Sequence, residues 1–163
     1  MPTKPYSLER FAYQKQAPVD TVVNIVINVV IVLVTLRKLD SVYVMPPPTG
    51  EGQSLFGSLF PVAVMTTMIT TIMGVRNTVS KRIAGEVVPP LKAGVQWFRP
   101  AFGAGLLRAF AALGVISTFG LITHSNWPQV TISVQSAVIT VGVIAGVLAY
   151  IESVAAAFKT REF

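Results

Sequence analysis

The chain of 163 residues is 52% hydrophobic and 12% charged, with a mean hydropathy of +0.63. A soluble domain carries roughly a quarter of its residues as charged side chains, so this composition argues against a soluble globular fold. The net charge of +6 does not imply nucleic acid either, because the basic residues lie between apolar blocks rather than on one aromatic-bearing face; with no cysteine, disulfides, thiolate nucleophiles and thiolate metal sites are excluded together.

The apolar residues form four blocks, each long enough to cross a hydrocarbon layer of about 30 Å. The expected fold is an all-α integral membrane protein, a four-transmembrane-helix bundle forming a single membrane domain. Residues 1–18 read as an interfacial N-terminal segment. Ser7 can cap a short helix there, Leu8, Phe11, Ala12 and Lys15 share one face, and Tyr6 and Tyr13 suit a headgroup layer. No apolar stretch follows a basic start with a small-residue cleavage pattern, so no signal peptide is expected.

The first span covers 19–36; its Val/Ile richness would suit a strand, but the run is too long for one without a turn residue. The link 45–53 (MPPPTGEGQ) carries three consecutive prolines and reads as an extended connector without a helix. The second span covers 55–75. A basic link, 76–100, follows, interrupted by Pro89-Pro90 and ending in an interfacial anchor, Gln96-Trp97-Phe98-Arg99-Pro100. The third span covers 101–123 and the fourth 130–158, longer than one crossing needs, so it should tilt or project into water. Hydropathy suggests two hairpins in parallel arrangement, which gives no support to an inverted-repeat transporter.

Orientation follows the Lys/Arg bias of the short loops. Lys4, Arg10, Lys15, Arg76, Lys81, Arg82, Lys92, Arg99, Lys159 and Arg161 fall on one side, against Arg37 and Lys38 on the other. Both termini are therefore expected in the cytoplasm, or in the matrix of an organelle. The bacterial inner membrane is the expected location, with an organellar inner membrane as the alternative.

Asn24 and Asn28 share a face of the first span. Thr66 with Thr70, and Thr67 with Thr71, make two hydroxyl rows on the second. Each set reads either as interhelical hydrogen bonding or as the polar lining of a permeation path, with packing the default. Arg108 and Glu152 are the ionisable residues well inside the spans. The short turn between spans three and four should make those spans antiparallel neighbours and allow the two charges to pair. Gly142-x-x-x-Gly146, with Ala145, Ala149 and Ser153, offers a small-residue face for close helix packing, either within the bundle or against another subunit. His124, beside Ser125 and Asn126 in the outer turn, lacks the partners that a metal or acyl-transfer site needs and reads as a surface residue.

No catalytic residue, metal site or cofactor is expected, and the chain reads as non-enzymatic. Sequence alone places first an accessory or structural subunit of a larger membrane complex. A small homo-oligomeric channel or transporter is the alternative, its path lined by the Asn and Thr residues. The expected partners are the lipid bilayer and other membrane-protein subunits or further copies of the chain. An anionic lipid is a further candidate partner, and nucleic acid is not expected.

Overall fold

The computed structural model describes residues 5–47, 52–126 and 129–163. It is an all-α bundle of four long apolar helices, each of a length and composition that can cross a membrane. A short strand β1 (Tyr6–Ser7) leads into α1 (Leu8–Phe11), a π-helical turn at Ala12–Gln16 and α2 (Ala17–Leu36). Strand β2 (Ser41–Tyr43) precedes α3 (Leu55–Ile83), and β3 (Val87–Val88) precedes α4 (Phe98–Asn126). Strand β4 (Thr131–Ser133) runs into α5 (Val134–Lys159), which ends in a 3-10 turn at Thr160–Glu162.

The end that holds β1 and the C-terminal turn Thr160–Glu162 is called basal below and the opposite end distal. Each end is tied by a small ribbon. At the basal end β1 pairs in parallel with β3, and Val87 is fully buried there against Leu8, Ala12 and Ala157. Arg82 adds a second tie, its Nε donating to Pro89 O at 2.7 Å and its Nη1 to the carbonyl and hydroxyl oxygens of Thr160. At the distal end β2 and β4 pair antiparallel, with Val42 opposite Ile132, so the α2–α3 and α4–α5 connections hold one another.

Helix order across the bundle is α2, α5, α3, α4, with α2 packed on α5, α5 on α3 and α3 on α4. Lipid gives apolar helices no hydrophobic reason to associate, so contact depends on close approach and van der Waals packing. Small residues provide it. A Cβ placed on Gly142 would come 2.8 Å from Val29 Cγ2, and one on Gly146 would come 2.8 Å from Ile25 Cδ1, both on α2. A Cβ on Gly74 of α3 would meet that of Ala156 on α5 at 2.8 Å, and one on Gly105 of α4 would lie 3.6 Å from Met68 Cα on α3. Ala145 and Ala149 are fully buried on α5.

Several expectations change. Residues 8–16 do not form a separate interfacial helix: Ser7 does cap, accepting from Arg10 N at 3.2 Å, but the helix continues without a break from Leu8 to Leu36. Burial of Leu8 and Ala12 against the basal ribbon gives the extra turns a packing surface. Helix α3 runs two turns past residue 75, to Ile83, because Val75, Thr78, Val79 and Arg82 all find buried partners. Phe98, Arg99 and Pro100 form the first turn of α4 rather than ending the link, a position where the missing N–H of proline costs nothing. Residues 131–133 lie in the distal ribbon, so the fourth helix starts at Val134. Residues 45–47 and 52–53 contain no helix, as read from the prolines; 48–51 lie outside the described residues.

One expectation about neighbours is overturned. Helices α4 and α5 follow each other through a short turn, yet they do not pack closely together. An apolar cleft of about 510 Å³ separates them, floored by Leu55, Phe56 and Leu59 of α3. The distal ribbon holds the start of α5 toward β2 and α2, and the glycine face of α5 then seats on α2 instead of α4.

Candidate functional site

Polar side chains collect between α2, α3 and α5. Helix α2 contributes a stripe at intervals of one turn: Gln16 just before it, then Asp20, Asn24 and Asn28. The facing surface of α3 supplies Thr78, Thr70 and Thr66. Asn24 Nδ2 donates to Thr70 Oγ1 at 3.3 Å and to Asp20 O at 2.8 Å, and Asn28 Nδ2 repeats the pattern with Thr66 Oγ1 at 3.3 Å and Asn24 O at 2.8 Å. Each asparagine thus satisfies its own helix backbone and reaches across the gap. The two threonine rows take different surroundings: Thr66 and Thr70 face α2, whereas Thr71 faces α5. Thr67 is fully buried, and its hydroxyl has no partner among the described residues.

Two cavities lie along this seam, one toward each end. The basal cavity, about 360 Å³, is lined by Lys15, Gln16, Asp20, Asn77, Ser80 and Lys81, with Phe11 and Val19. The distal cavity, about 300 Å³, has Asn28, Thr35, Gln53 and Ser58 among its lining. Pro61 borders the distal cavity and supplies no N–H to the carbonyl of Gly57, another lining residue, so the α3 ladder is interrupted where the cavity lies. Asp20 lines one cavity and Asn28 the other, two helical turns apart, about 12 Å. Asn24 and Thr70 stand between them. The polar barrier is therefore less than half of a hydrocarbon layer of about 30 Å.

Gln16 is 6% exposed and wedged near Gly74. Thr78 has one hydroxyl proton but two acceptors in reach, Gln16 Oε1 at 2.8 Å and Gly74 O at 2.9 Å. With the Gln16 amide turned over, Nε2 donates to Thr78 Oγ1 while Thr78 donates to Gly74 O. That arrangement gives the amide nitrogen a partner that it otherwise lacks, and the assignment of amide orientation follows from it.

On the other side of α5, Arg108 Nη1 lies 3.2 Å from Glu152 Oε2, and Thr71 Oγ1 donates to the same oxygen at 3.1 Å. Next along α5, Ser153 points toward α2 and donates to Asp20 Oδ2 at 2.6 Å. The small-residue face thus has two duties: Gly142 and Gly146 seat α2, while Ser153 holds the α2 carboxylate. His124 is exposed in the last turn of α4.

Asp20, Gln16 and Thr78 were not among the residues that sequence reasoning singled out. The four-residue spacing Gln16, Asp20, Asn24, Asn28 was a usable signal, although a first span starting at residue 19 leaves Gln16 outside and Asp20 at its very end. Compared with known protein families, curated proteins and solved structures, the chain matches none.

Proposed function

We propose that this four-span membrane protein is a non-enzymatic transporter or channel for an ion or small polar solute, with the α2–α3 seam as its path. The observation that carries this reading is the pair of cavities, one toward each end of the seam and separated by two turns of asparagine and threonine. Simple helix gluing would need the interhelical amide bonds but not the cavities that thin the bundle on either side of them. Amide and hydroxyl groups suit a path because they can exchange their present bonds for equivalent ones to a passing solute at little net cost. The test is reconstitution of the purified protein into liposomes, with flux of protons, alkali cations and small neutral polar solutes measured against protein-free vesicles. Flux of at least one species is expected; no flux of any species overturns the reading.

A second reading, an accessory subunit of a larger complex, draws on the cleft between α4 and α5. Its walls include Val115, Phe119, Val143 and Val147, which no other part of the chain covers among the described residues. Extraction in mild detergent followed by mass measurement separates the two readings, since stable foreign partners favour the subunit and a single homo-oligomer favours transport.

A further inference from the structure

Among the described acids only Asp20 and Asp40 lack an ion pair, and Asp40 is exposed, so Asp20 is the one partly buried acid without a counter-charge. Glu152 has Arg108 as its counter-charge. Glu86 has Lys81 at 2.6 Å, Glu162 has Lys159 at 2.5 Å, and Glu9 has Arg161 at 3.1 Å. Asp20 is half-buried and lines the basal cavity, and its hydrogen-bond partner across the bundle is the neutral hydroxyl of Ser153. Lys15 and Lys81 line the same cavity but are engaged elsewhere, Lys15 over the Tyr6 ring at 5.5 Å from its centroid and Lys81 on Glu86. A carboxylate withdrawn from water needs its charge neutralised, and a hydroxyl does not do that.

We infer that Asp20 is an exchangeable binding site for a monovalent cation, a proton or sodium, at the basal mouth of the seam. This rests on the transport reading and assigns that reading its substrate class. Among the described residues there is no group of three His, Cys, Asp or Glu side chains of the kind that holds a multivalent metal ion. One carboxylate with neutral oxygen neighbours suits a single positive charge. The next station is in place: Asn24 uses its amide nitrogen on Asp20 O and Thr70, so its carbonyl oxygen is free of described hydrogen bonds and can accept. The groups that set the charge balance at Asp20 are Lys15 on its own helical run, Lys81 with Asn77 and Ser80 on α3, and Ser153 on α5. The Glu152–Arg108 pair lies behind Ser153.

Dicyclohexylcarbodiimide tests this in the full-length protein in liposomes. A protonated carboxyl transfers its proton to the carbodiimide nitrogen as its oxygen adds to the central carbon, and the adduct rearranges to a stable acylurea located by peptide mass mapping. Label is expected on Asp20, decreasing as pH rises, with none on ion-paired Glu152 and none at position 20 in Asp20→Asn. If sodium, but not the same concentration of potassium, protects Asp20, sodium is the cation; if neither protects, the proton is. An Asp20 that never labels, or labels independently of both pH and sodium, overturns the inference. The same liposomes keep the two ideas apart. Flux that survives undiminished in Asp20→Asn overturns the cation site and leaves transport standing, whereas titratable label without flux of any solute leaves the site standing and removes transport.

Discussion

Arg108 and Glu152 form an ion pair at 3.2 Å although the helices that carry them do not pack against each other. The two side chains reach in from opposite flanks of α3, and Thr71 of α3 donates to the shared oxygen between them. Ala112 and Leu148, each one turn toward the distal end, mark the inner limit of the apolar cleft. The pair therefore closes the cleft where packing does not, and it holds the most weakly attached helix to the other three.

That position predicts a coupled response. Removing one partner leaves the other charge uncompensated in an apolar setting, a loss of about 3–5 kcal/mol. Arg108→Ala and Glu152→Ala should each lower thermal stability in detergent, and the double replacement should cost clearly less than their sum. Additive losses would mean that the two residues act independently.

Gly142 makes a second, sharper stability prediction. Its missing side chain admits Val29, a β-branched residue with little freedom to rotate within a helix. Gly142→Ala should cost about 1–3 kcal/mol by overpacking, and Gly142→Ile should separate α2 from α5 while leaving membrane insertion intact. Unchanged thermal stability in Gly142→Ile would show that this face tolerates bulk and that α2 is held elsewhere.

Much of the bundle was readable in the sequence, since hydropathy marks spans and helical arithmetic marks faces. Asn24 and Asn28 must share a face at a spacing of four, and an amide facing lipid is costly, so their orientation toward protein followed directly. What hydropathy does not encode is which span meets which. The order α2, α5, α3, α4 depends on matched shapes, Gly142 and Gly146 under Ile25 and Val29 and Gly74 under Ala156, and connection length alone suggested the wrong neighbour for α4. Asp20 was hidden for a related reason. As the second residue of the expected span 19–36 it looks like a polar residue at a span's end, and only the packing of Leu8 and Ala12 on Val87 and Ala157 puts it in the middle of a continuous helix.

The distribution of lysine and arginine predicts which end faces inward. Ser80 and Ser125 are both exposed, at the basal and distal ends respectively, and the absence of native cysteine makes each a clean reporter. In intact cells an impermeant thiol reagent should label Ser125→Cys at once and Ser80→Cys only after the membrane is opened. The reverse pattern would place both termini outside and the basal cavity on the external face.

The last prediction separates conduction from packing in the seam. Asn28 lines the distal cavity and reaches Thr66, so Asn28→Leu replaces an amide in the proposed path with an apolar side chain of similar size. Its structural cost should be small. Interhelical polar bonds in membranes average about 0.6 kcal/mol, and Thr66 can return its hydroxyl to a carbonyl of its own helix once the amide is gone. The seam, however, would then hold one polar station fewer, at the point where the distal cavity meets the Asn24–Thr70 contact. Asn28→Leu should therefore keep a thermal transition close to that of the parent protein and lose flux in liposomes, whereas Thr35→Val, further toward the distal end, should retain it. Equal flux in the parent and Asn28→Leu would show that solute does not pass this point, and the asparagine and threonine ladder would then be packing alone.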